Sequence, residues 1–95
     1  MSECLVIIPT YNEIENVALI IAAVQDLNRG YHVLIVDDNS PDGTADKVRE
    51  LQNTHPDSIH LEVRTEKAGL GTAYIHGFKW ALATGYSFIF EMDAD

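Results

Sequence analysis

Two aspartates, Asp93 and Asp95, close the sequence with one residue between them, directly after the apolar run FIFEM. If that run is a strand, residues two apart point to the same side, and both carboxylates can face one ion. Carboxylate oxygens with no Cys or His cluster beside them suit Mg²⁺ or Mn²⁺, which also bridge to phosphates. An isolated Asp-x-Asp pair is common by chance on surfaces, so its position after a buried strand is what favours a metal site.

A second acidic segment, DDNSPDGT, begins at Asp37, where the apolar run HVLIVD ends. In α/β nucleotide-binding folds an acid at the end of the second strand hydrogen-bonds a ribose or a base, and Asp37 or Asp38 fits that position. The alternative interpretation is that Asp38, Ser40 and Asp42 cap a turn and the helix that follows it. For Asp42 both interpretations stand.

Four short apolar runs must position these acids: Cys4–Ile8, His32–Asp37, Ile59–Val63 and Phe88–Met92. The first, second and fourth are nearly continuous, which is typical of parallel strands buried on both faces, whereas the third alternates like an edge strand. Helical patterns separate the runs. The order predicts an α/β fold, a Rossmann-like parallel sheet in a three-layer α/β/α arrangement. The carboxyl ends of its strands meet at one edge, where ligands bind in such folds.

Three helices are predicted between the strands. Asn12 and Glu15 are placed like a capping pair for the first, whose apolar face begins at Ile14. The second follows the turn SPDGT and ends before Pro56. Apolar residues at helical spacing from Leu70 to Ala81 predict the third.

Two common phosphate-binding motifs are absent from the sequence. No GxGxxG follows the first apolar run and no GxxxxGK[ST] occurs, which disfavours dinucleotide oxidoreductases and phosphate-loop NTPases. Gly69 and Gly71, which follow Lys67, would let backbone amides and a cation approach a diphosphate. The alternative is that these glycines only make the start of the third helix flexible.

Other residues carry less information. Four histidines are scattered without ligand spacing and receive no role: His32, His55, His60 and His76. Phe78 and Trp80 lie at helical spacing and are interpreted as core residues rather than a stacking platform. The net charge of −9 argues against a nucleic-acid partner, whose phosphates require a basic surface.

Four segments in this order resemble the inverting family 2 glycosyltransferases: VIIPTYNE, VDDNSPDGT, KAGLGTAYIHGFKWA and EMDAD. Within that family the chain is most similar to the dolichol-phosphate (polyprenol-phosphate) mannosyltransferases. PTYNE and the terminal Asp-x-Asp are shared by the wider family, whereas DDNSPDGT together with GLGTAYIHG points to the narrower group. Members continue beyond the Asp-x-Asp motif. The resemblance therefore implies that residues 1–95 are the N-terminal nucleotide-sugar-binding portion of one GT-A domain, truncated at that motif.

The implied reaction of the parent protein is transfer of mannose from GDP-mannose to a dolichyl or polyprenyl phosphate with inversion. Carried over by position, Pro9, Tyr11 and Glu13 would line the guanosine pocket. Asp37 or Asp38 would contact the base or ribose. The resemblance assigns no catalytic residue within these 95 positions, and the chain alone is expected to turn over little or nothing.

The resemblance also implies how the diphosphate is held. Asp93 and Asp95 would bind Mg²⁺ or Mn²⁺ on it, with Lys67, Gly69 and Gly71 close by. The acceptor would be a lipid phosphate. Because the sequence shows no signal-peptide pattern and no apolar window long enough for a membrane span, we expect a protein that is cytoplasmic or peripheral on the cytoplasmic face of a membrane. Contact with the membrane surface would be made by a missing part or a partner, and a sheet edge exposed by truncation would favour self-association.

Two alternatives remain from the sequence. One is another family 2 transferase that uses a UDP-sugar and a saccharide acceptor, which base preference in binding would distinguish. The other is a non-catalytic α/β module whose acidic rim binds a metal or a partner. The latter predicts that no nucleotide binds with a requirement for a divalent ion.

Overall fold

A computed structural model describes residues 4–27, 30–65 and 70–93. Strands and helices alternate: β1 (Cys4–Thr10), α1 (Val17–Asp26), β2 (His32–Asp37), α2 (Thr44–Thr54), β3 (Ile59–Val63), α3 (Leu70–Thr84) and β4 (Phe88–Glu91). The four strands form one parallel sheet in the order β3-β2-β1-β4. The predicted parallel sheet, the edge position of the third strand and the second and third helices are confirmed.

Two apolar clusters cover the two faces of the sheet. Because side chains alternate along a strand, β1 contributes Val6 and Ile8 to the cluster beneath α1 and α2, and Leu5 and Ile7 to the cluster beneath α3. α3 lies very close to the sheet. A Cβ added at Gly77 would come within 2.7 Å of Ile7 Cγ2, so only glycine lets this helix approach β1 without displacement. The three-layer arrangement is confirmed.

The prediction that the last strand is buried was wrong. Phe88 and Phe90 are 55% and 50% exposed, although Ile89 packs into the cluster beneath α3. β4 is an edge strand that pairs with β1, with Phe90 in register with Val6. Its continuous apolar run therefore leaves one face half exposed, because among the described elements α3 covers only the other face.

The first helix begins later than predicted. α1 starts at Val17, and Asn16 rather than Asn12 precedes it, without a side-chain capping hydrogen bond. Asn12 has a left-handed backbone conformation, φ 56°, and Ile14 is 39% exposed in the preceding loop. The physical reason is the left-handed backbone of Asn12, which is not the β-region conformation typical of an N-cap, and the loop after it is fixed by the Ile14 N–H bond to Asp42 Oδ2 at 3.2 Å.

α1, α2 and α3 are all too short or too polar to cross a membrane, and the part of the chain that the structure describes contains no other helix.

Candidate functional site

The candidate site lies at the carboxyl edge of the sheet, where the segments after β1, β2 and β4 meet. The chain runs from β1 outward to β2 and β3, and then returns to place β4 on the other side of β1. This reversal creates a crevice at the carboxyl ends of β1 and β4. Open α/β sheets bind their ligands in such a crevice. The predicted convergence of the acidic segments on one edge is confirmed.

Asp37, at the end of β2, is fully buried and its carboxylate is held by three hydrogen bonds. Oδ1 accepts from the Thr10 hydroxyl at 2.6 Å and from the Ser40 hydroxyl at 2.7 Å. Oδ2 accepts from the Ser40 backbone N–H at 2.9 Å. These bonds join the end of β1 to the loop between β2 and α2, and Asp37 thereby determines how both segments leave the sheet.

Asp38 forms an ion pair that the sequence analysis missed. Arg64, which follows β3, donates from Nε to Asp38 Oδ1 at 2.5 Å and from Nη2 to Oδ2 at 2.7 Å. Its Nη1 donates to the Thr72 hydroxyl in the first turn of α3 at 2.9 Å. The hydrogen bond to Asp38 is the main cause that raises the pKa of the Arg64 guanidinium, which therefore stays charged. Its position directly after the third apolar run was a signal that could have revealed Arg64.

Three successive backbone N–H groups of the β1–α1 loop donate to side chains of the β2–α2 loop. They run from Asn12 to Ser40 Oγ at 2.8 Å, from Glu13 to Thr44 Oγ1 at 3.1 Å and from Ile14 to Asp42 Oδ2 at 3.2 Å. The loop before α1 is therefore bonded to the loop and first residue of α2 through backbone donors that have no partner within α1. The edge is shaped before any ligand binds.

Asp42 has the turn-capping role that was one of its two interpretations. Its Oδ1 accepts from the Thr44 N–H at 3.0 Å. Burial alone would raise the pKa of Asp42, but the hydrogen bonds from the Thr44 side chain and from the Ile14 and Thr44 amides outweigh it and lower the pKa. The carboxylate is consequently ionised and bonded at neutral pH.

The other predicted residues differ in exposure. Tyr11 is 38% exposed and Asp93, two residues after β4, is also exposed, whereas Pro9 is buried in β1. Glu13 is half buried and accepts a hydrogen bond from Asn16 Nδ2 at 3.1 Å.

The remaining predicted residues belong to the diphosphate and metal side of the site. Gly71 is exposed in the first turn of α3. Lys67, Gly69 and Asp95 lie outside the described residues. Within residues 4–27, 30–65 and 70–93, no group of three or more His, Cys, Asp or Glu side chains is placed to hold a metal ion.

Tyr74 in α3 is a further residue near this edge that the sequence analysis did not assign. Burial is the main cause that raises the pKa of its phenol, and the negative charges of Asp93 and Glu91 add to it. The first turns of α3 therefore lie within electrostatic reach of the end of β4. A neutral hydroxyl at this position can donate a hydrogen bond to a carboxylate or a phosphate.

Residues 5–95 match the sequence profile of glycosyl transferase family 2. The chain belongs to this family. It is 55% identical over 91 residues to polyprenol monophosphomannose synthase of Mycolicibacterium smegmatis, a match covering 96% of the chain and 34% of that protein. It is 50% identical to undecaprenyl-phosphate mannosyltransferase of Micrococcus luteus, over 96% of the chain and 37% of the relative. It is 42% identical to dolichol-phosphate mannosyltransferase of Pyrococcus furiosus, over 95% of the chain and 25% of the relative.

A solved structure shares the fold. The mannosyltransferase of Pyrobaculum calidifontis, in complex with GDP-Man and Mn²⁺, superimposes with a TM-score of 0.74 at 33% sequence identity, covering 82% of this chain and 24% of that one. The likeness confirms the predicted fold class, a parallel α/β sheet of the GT-A type. The chain spans about a third of the length of the first two curated relatives it matches.

Proposed function

We propose that this chain is the donor-binding portion of a glycosyltransferase domain that transfers mannose from GDP-mannose to a polyprenyl or dolichyl phosphate with inversion. The observation that carries the proposal is the carboxyl edge. There the family's PTYNE and DDNSPDGT segments are hydrogen-bonded to each other beside β1, and Asp93 faces solvent on the other side. The relatives named above are mannosyltransferases of lipid phosphates, and the P. calidifontis protein binds GDP-Man and Mn²⁺.

The nucleoside would lie against the end of β1. Tyr11 offers an exposed aromatic ring, and Pro9 and Glu13 flank it along the chain. The carboxylates of Asp37 and Asp38 already accept hydrogen bonds from protein groups. A direct contact with the base or ribose would use lone pairs that these bonds leave. The main contribution of Asp37 and Asp38 is then to position the backbone segments that form the wall of the nucleoside pocket.

The diphosphate would lie between β4 and the first turn of α3. Gly71 lies in that turn, where helix amides favour negative charge, and Lys67 and Gly69 precede it in the chain. Arg64 holds the turn against the end of β2 through Thr72 and Asp38, so it is a positioning residue. The alternative role of Gly69 and Gly71, which involves no phosphate, is only to make the start of α3 flexible.

A divalent ion fits the donor set at the end of β4. Asp93 supplies an exposed carboxylate, Asp95 would supply a second, and hard oxygen ligands suit Mg²⁺ or Mn²⁺. When bound, the ion neutralises the diphosphate and stabilises the charge that develops on the departing nucleoside diphosphate. Asp93 and Asp95 would thus orient the donor while Tyr11 holds its nucleoside.

Transfer then needs little acid–base chemistry. An oxygen of the acceptor phosphate forms a bond to the anomeric carbon of mannose as the bond from that carbon to GDP breaks, and GDP leaves with the electron pair. The acceptor phosphate is already an anion near neutral pH, so no general base is required. A single displacement inverts the anomeric carbon. We assign no catalytic residue and no acceptor site to the described residues.

Because the acceptor is a lipid, the reaction would take place at a membrane surface. We infer a cytoplasmic protein or one peripheral on the cytoplasmic face, which contacts the membrane through another part of the whole protein or through a partner.

The experiment that tests the proposal is calorimetric titration of GDP, GDP-mannose and UDP into the chain with Mn²⁺ or Mg²⁺, and again with EDTA. We expect metal-dependent binding of the two guanosine ligands, lost in Asp93→Asn. Asp26→Asn is the matched control, because Asp26 is exposed at the end of α1, at the opposite edge of the sheet. Tighter binding of UDP would favour a UDP-sugar transferase with a saccharide acceptor. Absence of metal-dependent nucleotide binding by the folded chain would contradict the proposal and favour a non-catalytic module.

Self-association through β4 is a separate part of the proposal. β4 pairs with β1 on one side, and Phe88 and Phe90 expose about half of their surface beside it. Exposed apolar edge strands pair readily with a second chain. Sedimentation velocity should show a concentration-dependent dimer that Phe90→Ser weakens. Leu82→Ser, which changes a 70% exposed leucine on α3, should leave it intact. A monomer at all concentrations would contradict this part alone.

A further inference from the structure

The amino-terminal edge of the sheet holds a second group of functional side chains, far from the candidate donor site. A cavity of about 680 Å³ opens there, lined by His32, Asp57, His60, Trp80 and Tyr86 among others. His32 begins β2, His60 lies in β3, and Tyr86 lies in the connection between α3 and β4. The proposed donor chemistry uses none of these residues.

The Tyr86 hydroxyl lies between the two imidazoles. Its oxygen is 2.7 Å from His32 Nδ1 and 3.2 Å from His60 Nε2. The two imidazole ring centroids are 5.8 Å apart, so both histidines face the same hydroxyl. Trp80 of α3 completes the group, with its ring centroid 5.1 Å from that of His60 and 6.1 Å from that of Tyr86, on which it stacks.

The donor and acceptor capacities of His32, Tyr86 and His60 determine the direction of these hydrogen bonds. We assign the His60 proton to Nδ1, the nitrogen that does not face Tyr86, in keeping with the Asp57 backbone contribution to its pKa, and this leaves Nε2 as an acceptor. The Tyr86 O–H therefore donates to His60 Nε2. The one remaining contact, with His32, must then run from His32 Nδ1–H to the Tyr86 oxygen. This sequence of donors requires His60 Nε2 to be unprotonated, whereas the His32 Nδ1–H donor is present whether His32 is neutral or charged.

The surrounding charges favour the neutral imidazoles. Burial is the largest cause that lowers the pKa of His32, followed by the charge of His60 and that of the amino terminus, while Asp57 acts in the opposite direction. Burial also lowers the pKa of His60, against its hydrogen bond to the Asp57 backbone and the Asp57 charge. Asp26 and His55 line a neighbouring cavity with His32. Asp57 and Asp26 are the nearby acids, and neither makes an ion pair with His32 or His60.

We propose that His32, Tyr86 and His60 form an acid-sensitive hydrogen-bond relay that holds the α3–β4 connection against the amino ends of β2 and β3. The relay is intact while both imidazoles are neutral. A proton added at His60 Nε2 removes the acceptor of the Tyr86 O–H, and a second proton on His32 places two cations on one hydroxyl. The Tyr86 O–H is then left without an acceptor, the two imidazolium charges repel each other across its oxygen, and the connection is released.

The release acts on β4 because Tyr86 lies two residues before it. The connection contains Gly85, whose left-handed φ of 93° makes the turn out of α3. Tyr86 is the part of this connection that contacts β2 and β3 through side chains. When it is released, β4 keeps its pairing with β1 but loses this attachment at its start. Acid is therefore expected to loosen β4 before it loosens β2.

The chain contains one tryptophan, Trp80, so its fluorescence reports on this group directly. We would follow Trp80 fluorescence and the imidazole NMR signals from about pH 8 to about pH 5. A protonated imidazole in contact with an indole quenches it. We expect quenching whose midpoint coincides with the titration of His60, with both His60 and His32 titrating below about pH 6.5, the ordinary value for an imidazole.

Tyr86→Phe and Tyr31→Phe form a matched pair of variants, since each removes one phenol hydroxyl from a half-buried ring. Loss of the O–H donor should raise the midpoint of His60 towards about 6.5, its ordinary value. Tyr31→Phe should leave the midpoint unchanged, because Tyr31 packs on the other face of the sheet. His60→Gln should abolish the quenching transition, and circular dichroism verifies that each variant is folded.

Amide hydrogen exchange tests the release itself. After correction for the intrinsic rate, lowering the pH through the transition should reduce protection in residues 86–91 several-fold more than in β2. The proposal is overturned if Trp80 fluorescence does not change with pH, if Tyr86→Phe and Tyr31→Phe have the same midpoint, or if protection of β4 is unaffected while the histidines titrate.

Discussion

The two edges of the sheet are built by different kinds of contact. At the carboxyl edge the polar residues come from continuous segments, and their bonds include the Asp38–Arg64 ion pair and those of the Asp42 carboxylate, whose pKa is lowered. At the amino edge, isolated residues from β2, β3 and the α3–β4 connection meet around one hydroxyl. The carboxyl edge is therefore insensitive to pH near neutrality, whereas the amino edge contains groups that titrate there. α3 spans both edges and connects them.

The largest effect is expected from breaking the ion pair of the carboxyl edge. Asp38→Ala leaves the nearly buried Arg64 without its carboxylate and should lower the free energy of unfolding by about 3 kcal/mol. Asp46→Ala is the matched control, because the Asp46–Arg49 pair is exposed and should contribute less than about 1 kcal/mol. Urea unfolding measures both. Equal losses in the two variants would show that the Asp38–Arg64 pair does not support the edge.

The second-largest effect is expected from a change in α3, the helix that spans both edges. Gly77→Ala places a methyl group 2.7 Å from Ile7 Cγ2, and the overpacking should destabilise the protein by about 2 kcal/mol. Gly71→Ala meets no atom within 4 Å and should be neutral or stabilising in urea unfolding. Trp80 fluorescence and donor binding should both change in Gly77→Ala. A change at one edge only would mean that α3 does not couple them.

The pH dependence of stability should come from the amino edge. The lowered pKa values of His32 and His60 make protonation favour the unfolded chain. Stability is then highest above about pH 6.5 and falls as the pH drops from there through the folded-state pKa values, by at most about 1.4 kcal/mol per pH unit for each proton. Urea midpoints measured across this range should show the fall. It should shrink in His60→Gln, and an unchanged fall would exclude His60 as its source.

The smallest effect should come from a capping carboxylate at the carboxyl edge. Asp42→Ala removes the acceptor for the Thr44 and Ile14 N–H groups and should cost about 1 kcal/mol at neutral pH. Because the pKa of Asp42 is lowered, its contribution is present above about pH 3.8 and is lost as the pH falls through the folded-state value. Wild-type and variant stabilities should therefore converge only in strong acid. If the two stabilities converged near pH 6, the carboxyl edge would also titrate near neutrality, and the stated difference between the two edges would be wrong.

Some features could be predicted because they follow from local patterns. Continuous apolar runs predicted β1 and β2, alternation predicted the edge strand β3, and the helical spacing after Leu70 predicted α3. Parallel strands deliver the segments that follow them to one edge, so the positions of Asp37 and Asp93 followed from the strand ends alone. The family resemblance added roles for individual residues, and the role of each remains a prediction.

Other features depended on neighbours that are distant in the chain. Phe90 is half exposed because β4 lies at the edge of the sheet, and an apolar run does not reveal the strand order. α1 starts at Val17 because Asn12, the expected capping residue, has a left-handed backbone and the loop after it is bonded to Asp42.

The sequence by itself determined the elements, the parallel sheet and the acidic edge, since hydrophobic periodicity and turn residues act locally. Only the tertiary structure decided which partners each polar group acquires. Arg64 and Asp38 are 26 residues apart and His32 and Tyr86 are 54 apart, so no spacing rule joins them. A buried polar group must find a hydrogen-bond partner wherever the fold places one, and that choice is made in space rather than along the chain.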